Sequence, residues 1–194
     1  MKPIVIGIAG ATCSGKSTFC DLLLQSLNSY KIAVIRTDKY FKKQLPKAIA
    51  PLTKNVYNDY NHPDSVDYER LIKDFYSITD KSSGNDIVII EGLMVLYFQE
   101  IRERLDLKIF IELDADERLY RRIVRNMKSL GWTMEEIADY YLESVKYREK
   151  EFILQTKIYA DVILNGNNLQ GKAQDIIACW IGKELLNTSF IDEK

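Results

Sequence analysis

The segment GATCSGKST, residues 10–18, limits what this chain can fold into more than any other part of the sequence. It follows the continuous apolar run IVIGIA (4–9) and precedes a stretch in which apolar residues recur with a helical period. Its first eight residues match GxxxxGK[ST], a phosphate-binding loop that joins a strand to a helix. Because its glycines let backbone N–H groups turn inward around an anion, the sequence predicts a strand–loop–helix unit that binds phosphates.

The side chains of this loop have separate expected roles. Lys16 is suited to bridge the outer phosphates of a nucleoside triphosphate, and the Ser17 hydroxyl is suited to bind Mg²⁺. Further contacts to the phosphates are expected from Gly10, Cys13, Ser14, Gly15 and Thr18. Cys13 is expected to offer its backbone N–H, and its thiol is either reactive or only fills space. The expected ligand is a nucleoside triphosphate with Mg²⁺.

Five short apolar runs, rich in β-branched residues, alternate with helical periods along the chain. They occupy residues 4–9, 31–37, 86–92, 107–113 and 161–165. Continuous apolar runs are typical of strands that are buried on both faces. Strands that alternate with helices favour a parallel, doubly wound α/β sheet with helices on both faces. A chain of 194 residues fits one such domain, and we expect it to span 1–194.

Composition argues against several classes of partner. The formal net charge is −1, so no overall basic field attracts nucleic acid or anionic lipid. No apolar run approaches the roughly 20 residues that a membrane span needs. The three cysteines form neither an even disulfide framework nor a metal-binding spacing. We therefore expect a cytoplasmic protein that binds neither nucleic acid nor membranes.

Two acidic residues lie where predicted strands end. Asp38 follows the second strand, and Glu91 ends the third. Because ligands of open parallel sheets bind at the carboxyl ends of the strands, both carboxylates should face the phosphate loop. Asp38 is a candidate base for an attacking hydroxyl or, alternatively, a cap of the following turn. Glu91 is expected beside the Mg²⁺ or, alternatively, in a salt bridge with a lysine, because a buried carboxylate needs a partner.

An arginine-rich helix is predicted in ADERLYRRIVRNMKSLGW, residues 115–132. One apolar stripe is formed by Leu119, Ile123, Met127 and Leu130. The other side carries Arg118, Arg121, Arg122 and Arg125. A basic stripe of this kind is often a solvated face. Four arginines that lead to Gly131 instead favour a lid that closes over phosphates, at approximately residues 118–134. Arg122 and Arg125 are expected to be exposed helix residues that contribute little to folding.

These motifs together resemble the uridine kinase family of P-loop kinases. The similar segments, in the family's order, are the phosphate loop, TDKYF (37–41), YNHPDSVDYERL (60–71), EGLMVLY (91–97), KIFIELDADERLYRRIVRNM (108–127), YLESVKYREKEF (141–152) and KIYADVIL (157–164). The resemblance implies a P-loop NTPase fold and ATP-dependent phosphoryl transfer to the 5′-hydroxyl of a ribonucleoside, uridine or cytidine first. It also implies that Asp38 is the base and that Arg122 and Arg125 contact the phosphates. The guanine-reading NKxD element of GTPases does not occur.

The departures from the family cluster in the expected acceptor pocket. Uridine kinases carry a base-reading β-hairpin where this chain has only ITDKSSGND (78–86), so that hairpin is expected to be absent. Aromatic or amide residues replace the family's polar readers at Phe41, Asn61, Trp132 and Tyr140. His62 of the HPD motif is expected to shape the ribose pocket, with Asp64 or Ser65 near a helix cap. The acceptor pocket is therefore predicted to stack its ligand more than it hydrogen-bonds it.

Three functions remain open at this point. Nicotinamide riboside kinases also lack the hairpin, and Tyr60 and KYRE (146–149) resemble them, with Trp132 as a stacking face. The aromatic residues either stack on a substrate or only pack. The chain is thus a nucleoside kinase, a kinase of another ribosyl compound, or a non-catalytic ATP-binding protein, and the retained acidic residues favour catalysis. Uridine kinases are often homo-oligomers, but the missing hairpin alters the surface and leaves the oligomeric state open.

Overall fold

The computed structural model describes residues 2–191 and contains a five-stranded parallel sheet. The strands of the chain are β1 (Ile4–Ala9), β2 (Ile32–Arg36), β3 (Lys47–Ile49), β4 (Val56–Asn58), β5 (Ile87–Glu91), β6 (Leu107–Glu112) and β7 (Val162–Asn165). The sheet has the order β2-β5-β1-β6-β7, and every pairing in it is parallel. The predicted parallel sheet is confirmed, and each of its strands lies within the predicted run.

Helices cover both faces of this sheet, as predicted. They are α1 (Lys16–Ser26), α2 (Tyr68–Thr79), α3 (Gln99–Arg102), α4 (Ala115–Leu130), α5 (Met134–Tyr140), α6 (Lys146–Arg148) and α7 (Lys172–Ile191). Side chains alternate along a strand, so Ile6 packs with α1 and α7 while its neighbour Val5 packs with α2 and α3. Within residues 2–191, no helix is long and apolar enough to cross a membrane.

A small antiparallel hairpin, β3–β4, lies outside the main sheet and was not predicted. It pairs Ala48 with Tyr57, and each strand has only three residues, too few for a clear period-two pattern. Between α2 and β5 the chain forms only a 3₁₀ turn at Lys81–Ser83. The hairpin that uridine kinases carry in that position is therefore absent here, as expected.

The segment that follows α5 is an irregular helix. Two π-helical turns, Tyr141–Val145 and Glu149–Ile153, flank α6, and a 3₁₀ turn, Leu154–Tyr159, leads to β7. We call residues 141–153 the π segment. Wide π turns often occur at functional sites because they change the direction in which successive side chains point.

Candidate active site

An open cavity of about 850 Å³ lies where β1, β2 and β5 end. Its lining includes the loop residues Thr12, Cys13, Gly15, Lys16, Ser17 and Thr18, the acidic residues Asp38 and Glu91, the arginines Arg121, Arg122 and Arg125, and the residues Phe41, Tyr60, Asn61, Asn126, Trp132 and Tyr140. Most of the residues predicted from the sequence therefore lie around one cavity. The predicted residues that do not line it are Gly10, Ser14 and His62.

The backbone of the phosphate loop takes conformations that favour glycine. Gly10 has φ 146° and Gly15 has φ 108°, and even Cys13 has a positive φ of 60°. A Cβ on Gly10 would lie 2.4 Å from the carbonyl oxygen of Ile111, so no side chain fits there. Ser14 turns its N–H to the carbonyl of Ala11 at 3.2 Å, and its hydroxyl is buried without a hydrogen-bond partner. The loop is thus a tight turn whose glycine positions admit no larger side chain.

Lys16 begins α1 and is nearly buried at the base of the cavity. Its Nζ donates a hydrogen bond of 2.9 Å to the carbonyl oxygen of Ala11. Burial lowers the pKa of Lys16, while the negative charges of Glu91 and Asp38 oppose this shift. The N-terminus of α1 has no side-chain cap, so its positive end is left to a ligand of the loop. The lysine and the helix end are therefore suited to an anion.

Glu91 is buried at the end of β5 and contacts the helix of the phosphate loop. The Ser17 hydroxyl donates a hydrogen bond of 3.0 Å to Glu91 Oε1. Burial raises the pKa of Glu91, although the nearby Lys16 lowers it in part. No ion pair to Glu91 is found among residues 2–191. A hydroxyl beside a carboxylate is an oxygen donor set that fits Mg²⁺, which retains several waters in such sites.

Asp38 lies on the 3₁₀ turn Thr37–Tyr40 that follows β2. Its side chain is exposed into the cavity, and its charge acts on both Lys16 and Glu91. This turn has no side-chain cap. Among the residues described, the Asp38 carboxylate has no hydrogen-bond partner, so it is available to a ligand. The geometry favours a role in binding or catalysis over a role as a cap.

The arginines of α4 face in an unexpected direction. Arg118 and Arg122 are buried, whereas Met127 and Leu130 of the apolar stripe are exposed. The expectation that Arg122 is an exposed helix residue is therefore wrong, and Arg118 on the same helix is buried as well. The physical reason is that buried partners are available: Glu149 for Arg118 at 2.8 Å and Thr12 Oγ1 for Arg122 at 3.1 Å.

Arg122 retains unused hydrogen-bonding capacity. Its Nε is buried without a partner, and its guanidinium lies 5.2 Å from the centre of the Tyr140 ring. Burial lowers the pKa of Arg122, but an arginine stays charged in proteins. Arg125, which is exposed, donates from Nε to Asn126 at 3.0 Å. Arg122 therefore presents a charged, partly unpaired group where the cavity meets the loop.

Aromatic rings form the other end of the cavity. Phe41 and Tyr60 meet edge to face at 5.2 Å, and Trp132 and Tyr140 do so at 6.2 Å. Tyr60 and Trp132 are each about 40% exposed, so part of each ring is free to contact a ligand.

Asn126, buried on the same face of α4 as Arg122, also lines this cavity and was not predicted. Its spacing of four residues from Arg122 is the signal that would have found it.

The HPD motif and the KYRE stretch lie behind the cavity wall. His62 caps the 3₁₀ turn Pro63–Ser65 by accepting a hydrogen bond from Asp64 N–H at 3.1 Å, and its ring packs on Phe152. The motif is a turn that leads into a helix, as expected, and the cap of α2 is Asp67, which accepts from the N–H of Arg70 and lies three residues after Asp64. His62 thus contributes to the shape of the wall and does not line the cavity.

Comparison with known sequences identifies the family. The profile of the phosphoribulokinase / uridine kinase family matches residues 53–170. The chain belongs to this family. A uridine kinase from Clostridium novyi is 35% identical over 208 positions, which cover 96% of this chain and 98% of that protein. A uridine kinase from Clostridium perfringens is 34% identical and covers 95% and 97%. Since 208 positions exceed the 194 residues of this chain, the Clostridium novyi protein has residues without a counterpart here.

Comparison with solved structures supports the fold. Phosphoribulokinase from Rhodobacter spheroides superposes with a TM-score of 0.59 at 13% identity, over 88% of this chain and 75% of that one. D-glycerate 3-kinase from Cryptococcus neoformans gives a TM-score of 0.57 at 15% identity, over 88% and 89%. At such identities the likeness concerns the fold alone, which is that of P-loop kinases.

Proposed function

We propose that this protein is an ATP-dependent kinase that transfers the γ-phosphate to the 5′-hydroxyl of a ribonucleoside, with uridine or cytidine as the first expectation. The observation that carries the proposal is one cavity lined by a phosphate loop, an unpaired carboxylate at Asp38 and a wall of aromatic rings. Membership of the family supports the reaction class. The relatives named uridine kinase support a nucleoside acceptor.

The residues of the cavity have separate roles in the proposed phosphoryl transfer. Asp38 accepts the proton of the attacking hydroxyl, whose oxygen bonds to the γ-phosphorus as the bond to the β-phosphate oxygen breaks and ADP leaves. Lys16, Arg122 and Arg125 stabilise the charge on the transferred group. Ser17 and Glu91 would hold Mg²⁺, which neutralises charge on the outer phosphates when bound.

A second acceptor class is favoured by the aromatic wall. The hairpin that would read uracil is absent between α2 and β5, and the rings of Tyr60 and Trp132 are partly free. Stacking tolerates many flat rings, including the cationic ring of nicotinamide riboside. Another ribosyl compound is therefore the runner-up acceptor, and the reaction at Asp38 would be the same.

A turnover assay separates these possibilities from a non-catalytic ATP-binding protein. The purified chain is incubated with ATP and Mg²⁺ and a panel of ribosides and small alcohols, and both ADP and the phosphorylated product are measured. We expect Lys16→Ala to abolish product formation while the exposed Lys150→Ala retains it. Nucleotide binding without turnover of any riboside or small alcohol would refute the kinase proposal and favour the non-catalytic one.

A further inference from the structure

Glu149, in the π segment, is a buried carboxylate that the proposed chemistry does not use. Its side chain is 1% exposed. Nη1 of Arg118 donates to both of its oxygens at 2.8 Å, and the hydroxyl of Tyr141 donates to Oε2 at 3.4 Å. The backbone N–H of Thr12 donates to Oε1 at 3.0 Å. A buried charge with this many partners is held in one position, and the partners are held with it.

Thr12 is the residue through which Glu149 reaches the cavity. Its N–H is bound by Glu149, and its hydroxyl oxygen accepts a hydrogen bond of 3.1 Å from Arg122 Nη1. Arg118, which is paired with Glu149, also contacts the Thr12 carbonyl oxygen at 3.5 Å. Thr12 directly precedes Cys13, whose positive φ marks the turn of the phosphate loop. Three groups of Thr12, its N–H, its hydroxyl and its carbonyl oxygen, therefore hold the loop in place.

We propose that Glu149 is a positioning residue for phosphoryl transfer, which acts through Thr12 and Arg118 to fix the phosphate loop and the guanidinium of Arg122. This inference rests on the proposed function, because it assigns Arg122 to the phosphates. Glu149 does not line the cavity and so acts only through its partners. Small displacements of groups that contact a transferred phosphate are costly, on the order of 10²-fold for about 1 Å.

The adjacent residue, Arg148, serves the other wall of the cavity. Its Nε donates to Asp59 Oδ2 at 2.7 Å, and Asp59 Oδ1 accepts the backbone N–H of Asn61 at 3.0 Å. Asp59 is fully buried, and Asn61 lines the cavity. Two consecutive residues of the π segment thus hold two different walls. Arg148 therefore provides a control with a similar cost to folding and a different expected effect on catalysis.

The test compares Glu149→Gln with Arg148→Gln. ADP affinity is measured by titration calorimetry without an acceptor, and kcat and KM are measured with the best riboside. We expect Glu149→Gln to weaken ADP binding about tenfold and to lower kcat on the order of 10²-fold, with the acceptor KM within about twofold. We expect Arg148→Gln to raise the acceptor KM at an ADP affinity within about twofold of the parent.

A second variant keeps the test decisive if Glu149→Gln does not fold. Thr12→Val removes the hydroxyl that holds Arg122 but keeps the N–H that Glu149 binds, and we expect it to fold with a moderately lowered melting temperature and to lower kcat. Unchanged ADP affinity and kcat in a folded Glu149→Gln protein would overturn the proposal, and so would an unchanged kcat in Thr12→Val. If the parent phosphorylates no riboside, the proposed function fails, and ADP affinity in Glu149→Gln still tests the role of Glu149 at the loop.

Discussion

Ser17 donates a hydrogen bond to Glu91 across 3.0 Å, and this contact joins the first turn of α1 to the end of β5. The carboxylate is buried, and its pKa is raised because burial disfavours its charged form. Lys16 offsets this effect only in part. The ionised carboxylate of Glu91 therefore lowers the free energy of unfolding, and a cation bound beside it would offset this loss.

Glu91→Gln should raise the melting temperature of the ligand-free protein at neutral pH and lower kcat. Because the pKa of Glu91 is higher in the folded than in the unfolded state, the stability it contributes is present at low pH and is lost as the pH rises through the folded pKa. The gain from Glu91→Gln should therefore be largest near pH 7–8 and shrink toward pH 5. Thermal unfolding at several pH values checks this, with the exposed Glu69→Gln as the control. A variant less stable than the parent at neutral pH would contradict the argument.

Asp38→Asn should leave ADP affinity nearly unchanged and lower kcat by about 10²–10⁴-fold, the usual contribution of a general base. The reason is that Asp38 is exposed into the cavity and no described residue binds its carboxylate. Steady-state kinetics and calorimetry give the two quantities, and the exposed Asp116→Asn is the matched control. An unchanged kcat would reduce Asp38 to a structural residue, and a collapse of nucleotide affinity would place it beside the metal.

Arg122→Ala and Arg125→Ala should differ in their effect on stability. Both should lower kcat, because both residues line the cavity. Arg122 is buried and holds Thr12, so its loss should also lower the melting temperature, whereas exposed Arg125 should have little effect on folding. Kinetics and thermal unfolding of the two variants check this. Full activity in Arg125→Ala would remove it from the phosphate site.

The acceptor site should discriminate weakly among flat rings. We expect kcat/KM for uridine to exceed that for cytidine, adenosine or nicotinamide riboside by much less than a thousandfold, or another riboside to be preferred. Stacking on Tyr60 and Trp132 is tolerant of ring identity, whereas hydrogen-bonded pockets reject wrong substrates strongly.

A pair of variants at Trp132 tests whether the ring is used. Trp132→Phe should retain most of the acceptor affinity, and Trp132→Ala should raise the acceptor KM without changing ADP affinity. A thousandfold preference for uridine in the parent protein would mean that other groups, such as Asn126, read the base.

Local patterns in the sequence were sufficient to predict the sheet and the phosphate loop. The strand runs are continuous, and the GxxxxGK[ST] spacing of the loop lies within eight residues, so short windows contain the necessary information. The hairpin β3–β4 was not predicted, because strands of three residues show no clear period. The carboxyl-end rule correctly placed Asp38 and Glu91 at one cavity.

The supporting contacts of the site could not be predicted, because they join residues far apart in the chain. The local sequence places Arg118 on the polar side of α4. Its buried partner, Glu149, lies 31 residues later in the chain. Asp59 and Arg148 are separated by 89 residues. Nothing in either local sequence indicates that these charges are buried together, and periodicity alone therefore predicted the wrong face of α4.

The unpredicted hairpin also supports one wall of the cavity. Tyr140 donates its hydroxyl to the carbonyl oxygen of Asn58 at 2.9 Å, and Tyr57 donates to Glu143 at 2.5 Å. The hairpin belongs to neither of the two cores that flank the sheet. We therefore expect substitutions at its exposed residues, such as Ile49 and Val56, to alter this wall at little cost to folding, while the phosphate loop stays fixed by the sheet. A change of the proposed acceptor would therefore leave the phosphate loop, Asp38 and Glu91 in place.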